Sequence, residues 1–364
     1  MQLINATGMQ AAYNMGLNPD GRELLVVVVK GTFSIPSRPS EEPRLLPDQA
    51  PIVASDIFTG KPGFSAPLYE SDYAPLKPRC DVLLNGSAYA PGGVPTERVV
   101  VGLRVGPIAK SFTVLGNRTW KYGLVSLTST RPEPFVKMPI SYDNAFGGID
   151  DLNADPKKHR TYLQNHAGIG YYESTGPGID NKRMPNTEES TEPIRRPNGK
   201  YRPMAFGSIG RAWQPRPTYA GTYDKKWLDN VFPFLPADFQ DDYYQAAPID
   251  QQMPHPHGGE LVELVNLAPS GRVVFPIPTL EVPIEFSHRK DGRKTIPGTI
   301  DAVLVEPDQG RFMVSWRAAT PLKKNMFEIT QVVVGKMPSG WYRARAMGTK
   351  YYSSLKELVI ANQE

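Results

Sequence analysis

The chain has 364 residues, of which 40% are hydrophobic and 21% charged, with a formal net charge of +4. That length supports a substantial buried core, as one large all-β domain or two smaller ones. The 37 prolines and 32 glycines exceed the roughly 12% of a typical protein but stay below the 25–30% of disordered low-complexity chains, so many turns and long ordered loops are expected. No run of about 18 apolar residues exists, which excludes a membrane-spanning helix. MQLINATGMQ lacks the basic and apolar regions of a secretory signal. The single cysteine, Cys80, cannot form an internal disulfide and suits a reducing compartment, so a cytoplasmic protein is expected.

In chain order, the β signal dominates. ELLVVVVKGTFSI (23–35) reads as a strand buried on both faces, because it carries no polar alternation. RVVVGLRV (98–105) and KSFTV (110–114) read as two more strands. Segments 259–266 and 272–277 pair across Ala268-Pro269-Ser270-Gly271. IDAVLVEP and RFMVSWRA alternate into and out of Pro307-Asp308-Gln309-Gly310, whose Pro and Gly supply the turn dihedrals. FEITQVVV (327–334) and WYRARA (341–346) read as a further hairpin. Helix is scarce: a short one at 223–231 opened by Asp224, and one at the C-terminus where Ser353 or Ser354 caps Leu355, Leu358, Val359 and Ala361.

These readings give a mainly β protein with an antiparallel core, sandwich- or barrel-like, built from residues 1–115 and 259–350. A loop-rich insertion with short elements, 116–258, lies on that core, and 351–364 form the C-terminal helix. Structureless loops beyond about 15 residues are unusual in compact domains, so the insertion must hold short elements. Its most polar stretch, 180–204, reads as a mobile tip.

The chemistry-bearing residues do not assemble into a catalytic constellation. His255 and His257 share one face of an extended segment, as two metal ligands would, but local acids are few, and a turn entering the next strand is the simpler reading. Asp150-Asp151 and Asp241-Asp242 have the composition of a glycosidic acid–base pair, yet adjacent loop acids are more often solvated or capping. Cys80 lacks a general base in sequence reach and reads as a small buried residue at a strand start. Gly147-Gly148 and Gly168-Ile169-Gly170 do not follow a strand and open a helix, so they read as tight turns.

Charge is uneven. Lys323, Lys324, Lys336, Arg343, Arg345, Lys350 and Lys356 face only Glu328 across 320–356, a local +6. Asp224, Asp229, Asp238, Asp241, Asp242 and Asp250 outweigh Lys225 and Lys226 across 223–250, a local −4. No nucleic-acid signature accompanies the basic stretch. Residues 206–252 combine aromatic, proline and acidic residues with almost no periodicity, the composition of a scaffolded recognition surface. Interface hot spots favour Trp, Tyr and Arg, which makes Trp213, Arg216, Tyr219, Tyr223, Trp227, Tyr243 and Tyr244 the partner-binding candidates.

Several phrases occur in order: SDYAPLKPRCDVLLNGSAYAPGG (71–93), VLGNRTW (114–120), MPISYDNAFGG (138–148), NHAGIGY (165–171), MPNTEE (184–189), GRAWQPRPTYAGTYDKKWLDNVFPFLPADFQDDYYQAAPIDQQ (210–252), LAPSGRVVFPIP (267–278) and IDAVLVEPDQGRFMVSWR (300–317). Together they resemble the bacterial family known as domain of unknown function 2169, from about Asn14 to Arg317. The resemblance implies a cytoplasmic adaptor or chaperone encoded beside type VI secretion spike proteins and toxic effectors. Its partners would be a secreted effector and the VgrG/PAAR spike, bound without turnover and without a cofactor or metal. A carbohydrate-binding or glycoside-acting β protein, using Tyr/Trp platforms and the Asp pairs, is the second expectation.

Overall fold

The computed structural model describes residues 1–18, 20–38, 41–123 and 127–352. The principal strands begin with β1 (Gln2–Asn5), β2 (Gln10–Leu17), β3 (Glu23–Ser34), β4 (Cys80–Leu84), β5 (Arg98–Val105) and β6 (Ile108–Leu115). The middle of the chain adds β7 (Thr187–Glu188), helix α1 (Lys225–Asn230) and β8 (Gln252–Met253). The C-terminal part contributes β9 (Leu261–Val265), β10 (Arg272–Pro276), β11 (Pro283–His288), β12 (Gly292–Pro297), β13 (Thr299–Glu306), β14 (Arg311–Pro321), β15 (Ile329–Val334) and helix α2 (Ser339–Ala346).

Three sheets carry the architecture: a six-stranded sheet in the order β8-β4-β13-β14-β3-β2, a five-stranded sheet β7-β6-β5-β9-β10 and a four-stranded sheet β1-β15-β11-β12. The fold is mainly β, as its sequence reads. Pairing is mostly antiparallel, with parallel exceptions at β4/β13 and β1/β15.

β3 shows why a valine run becomes a central strand. Leu25, Val27, Val29 and Phe33 enter the main core, while Leu24, Val26 and Val28 are covered on the opposite face by Ile52, Tyr73 and Ala319. Both faces are dry, so alternation is unnecessary and β-branched side chains fit the pleat. β3 pairs with β14 from Leu24↔Pro321 to Ser34↔Arg311. The predicted β13/β14 and β9/β10 hairpins form as read.

One core is shared by all three sheets. It takes Val27 and Val314 from the first, Val101, Phe112 and Phe275 from the second, and Phe286 and Val332 from the third. Phe275 and Phe312 join the two larger sheets with ring centroids 4.8 Å apart.

Three expectations are corrected. Residues 341–346 are not a strand; they lie in α2. β15 is already flanked by β1 and β11, so no edge is free for a hairpin partner, and the Ala/Arg-rich run after Pro338 has good helix formers. Segment 180–204 is packed rather than a tip: Met184, Asn186, Thr187 and Ile194 are buried, and Glu188 meets Arg118 at 2.6 Å. Nor does the middle of the chain merely lie on the core. It supplies the edge strand β7 to one large sheet and β8 to another. The C-terminal helix expected over 351–364 falls, from residue 353 onward, outside the described residues. Among the described residues no helix is long and apolar enough to cross a membrane.

Candidate functional site

Segment 206–252 is fixed to the core by a buried polar network. Asp81 on β4 is fully buried; it accepts from Lys77 Nζ at 2.7 Å, Gln245 Nε2 at 2.7 Å, and the amides of Ala246 and Ala247 at 2.8 and 3.1 Å. Gln251 Nε2 donates to the carbonyls of Val82 and Phe206 at 2.7 and 2.8 Å. Lys110 donates to Gln251 Oε1 at 2.7 Å; burial lowers its pKa to about 8, against the opposing pull of Asp250. Arg211 meets Asp56 at 2.9 Å and Glu70 at 2.7 Å, and its charge helps hold the half-buried Asp56 below the ordinary carboxylate range despite desolvation. A chain segment with so little regular structure keeps one shape because its polar groups are satisfied inside.

The seven candidate residues separate into three sets. Arg216 is 2% exposed: it forks onto Glu70 at 2.9 and 2.6 Å and donates to the carbonyls of Ile209 and Tyr243. Trp213 is buried and packs edge-on against Tyr142 at 5.6 Å. Both were read as anchors for a partner; their burial makes them anchors for the loop. Tyr243 and Tyr244 are half-buried around Phe239, with centroids 5.9 and 5.5 Å from it. Burial, helped by Asp241, pushes the Tyr244 hydroxyl up to about 12. Tyr219 is half-buried too, and its carbonyl accepts from the Gln240 amide at 3.0 Å.

Tyr223 and Trp227 belong to a projecting lobe, residues 222–238. Its neck is closed by Thr222, whose amide and hydroxyl both donate to Asp238 at 3.0 and 2.7 Å; the hydroxyl bond lowers the Asp238 pKa. Asp224 caps α1 by accepting from the Trp227 amide at 2.8 Å. Trp227 is the lobe's hub. Its indole N–H donates to the Phe234 carbonyl at 2.9 Å, and its ring meets Tyr223 at 4.7 Å and Phe232 at 5.7 Å, both edge-to-face.

Around that hub four large apolar side chains face solvent: Tyr223 (53% exposed), Leu228 (58%), Phe232 (62%) and Phe234 (46%). Exposed apolar side chains grouped in this way are the kind of feature from which an interaction surface is built. Phe234 also lies over the turn between β2 and β3, where a side chain at Gly21 (φ +81°) would come within 3.1 Å of its ring. Leu228, Phe232 and Phe234 were not picked out from the sequence. The available signal was FPFLP (232–236), apolar residues among prolines, where the backbone cannot turn them all inward.

The other chemical candidates are engaged locally. Asp242 pairs with Arg79 at 2.7 Å, and Asp150 accepts from the amides of Leu152 and Glu173. His255 Nδ1 lies 2.9 Å from the Ile300 carbonyl, while the His257 amide donates to Glu260. Among the described residues no group of three His, Cys, Asp or Glu side chains is arranged to hold a metal. Cys80 is buried at the start of β4, and desolvation pushes its thiol pKa well up. Gly147 and Gly148 serve close packing: a Cβ on either would fall 2.3 Å from the carbonyl oxygen of Asn165 or Gly168.

The family model described as "Uncharacterized protein conserved in bacteria (DUF2169)" matches residues 20–317. The chain belongs to this family. The DUF2169 match contains the whole lobe and its buried network, and it ends inside β14, leaving β1, β2, β15 and α2 beyond it. No curated protein and no solved structure matches the chain.

Proposed function

We propose that this chain is a non-enzymatic cytoplasmic adaptor that binds a type VI secretion effector and helps load it onto the VgrG/PAAR spike. The observation that carries the reading is the pairing of an exposed aromatic lobe with a buried clamp. Tyr223, Leu228, Phe232 and Phe234 stand in water on a loop whose base is held by Arg216–Glu70 and Asp81. Rigid aromatic side chains presented without a large ordering cost are what protein recognition uses. The partner class rests on the resemblance of the ordered phrases, all within the family-matched residues, to a family whose members are similar to type VI adaptors. The cargo segment that covers the lobe is apolar on its contacting side.

The test is binding of the cognate effector by wild-type chain and by F232S/F234S. Neither side chain belongs to a core cluster, so the variant is expected to stay folded, which circular dichroism checks. Hot-spot losses of about 2 kcal/mol or more predict at least roughly 30-fold weaker binding. Unchanged affinity in a folded variant removes the lobe from the interface.

A further inference from the structure

A second surface lies on the four-stranded sheet's side of the molecule. The turn joining β11 to β12 and the loop before β15 form the walls of an open groove of about 350 Å³. Arg289 and Lys290 stand on one wall, Lys323 and Lys324 on the other, and Phe327 beside them is 69% exposed. Lys323 is taken up by Asp291 at 2.7 Å. Among the described residues Arg289, Lys290 and Lys324 form no ion pair, and the groove's four cations outnumber its two carboxylates, Asp291 and Glu328.

We propose that this groove binds an acidic, extended segment of a partner protein, whether or not the aromatic lobe carries cargo. Alternate side chains of an extended chain lie about 7 Å apart on one face, so successive carboxylates of one segment can reach cations on both walls. Phe327 offers the neighbouring side chain an apolar contact. Asp291 and Glu328 belong to the lining, which disfavours a continuous phosphate backbone. A peptide can place a neutral residue there. One wall, 288–291, lies within the family-matched residues and the other, 323–328, beyond them, so half of the groove can be tuned to a partner without touching the shared part.

The test is fluorescence anisotropy with the full chain and a labelled dodecapeptide of alternating Glu and Thr. Its Lys–Thr counterpart and an oligothymidine of equal length are the controls. The Glu–Thr peptide is expected to bind saturably, more weakly as salt screens the charges, and to lose at least about tenfold in affinity in K290E/K324E, since charge pairs across an interface set specificity and encounter. F327S should weaken it several-fold. R343E/R345E makes the same charge change on α2, outside the groove, and should stay within about twofold. No binding of the Glu–Thr peptide, an equal loss in R343E/R345E, or equally tight binding of oligothymidine would each overturn the proposal.

Discussion

Arg216 is the residue on which the lobe's position depends. Its guanidinium satisfies Glu70 and two carbonyls in a space with almost no solvent. Removing it leaves Glu70 to Arg211 alone and strips two buried carbonyls of their donor, a cost below the roughly 3–5 kcal/mol of a fully uncompensated buried charge. R216A should therefore lower the urea midpoint steeply, and R216K should recover little, because an ammonium cannot reproduce the fork onto Glu70. Lys110 tests the same network by pH. Its folded pKa of about 8 lies below that of an unfolded lysine, so the unfolded chain binds more protons between about pH 8 and 10.5. On this group's account stability rises with pH across that window, and the wild-type minus K110M difference in unfolding free energy should rise with it. A flat difference would place Lys110 in a more hydrated setting. That the aromatic and Arg residues of 206–252 matter was legible in their composition. Which of them face water was not: the carboxylate that holds Arg216 is Glu70, 146 positions away, and the exposure of Phe232 and Phe234 depends on how the lobe packs around Trp227.

At the scale of elements, regular strands were the readable part. β3, β5, β13 and β14 announce themselves by valine runs or strict alternation, bounded by turn residues. α1 was readable from Asp224 alone, although six residues cannot form a stable helix unaided. Its cap and the Trp227 packing keep it in place. D224A should therefore speed hydrogen exchange at the Trp227 amide while leaving global melting nearly unchanged, since a lost cap costs about 1 kcal/mol locally. Unchanged exchange would mean that the Trp227 contacts suffice. WYRARA was misread because its alternation fits a strand as well as a helix. The deciding fact is tertiary: β15 has neighbours on both sides.

At the scale of the molecule, the core draws on strands outside the family-matched residues. β1 and β15 come from opposite ends of the chain and run parallel, Gln2↔Gln331 to Asn5↔Val334. β15 gives Ile329, Val332 and Val334 to the shared core. A chain cut to 20–317 loses those strands, all of β2 and the end of β14, exposing apolar surface at about 25 cal/mol per Å². It should aggregate or show no cooperative unfolding by circular dichroism; a monomeric, cooperatively melting fragment would refute that dependence. The whole architecture then presents two surfaces, an aromatic lobe and a basic groove, on one shared core.

The central claim is that the lobe holds a protein partner. Its most direct test is co-purification of the tagged full chain with the co-expressed products of its neighbouring genes, identified by mass spectrometry, beside F232S/F234S. A stoichiometric complex with one effector or spike protein, lost in the variant while the variant stays folded, is the predicted result. Recovery of the chain alone while the neighbours are soluble, or a complex indifferent to the two substitutions, would contradict it.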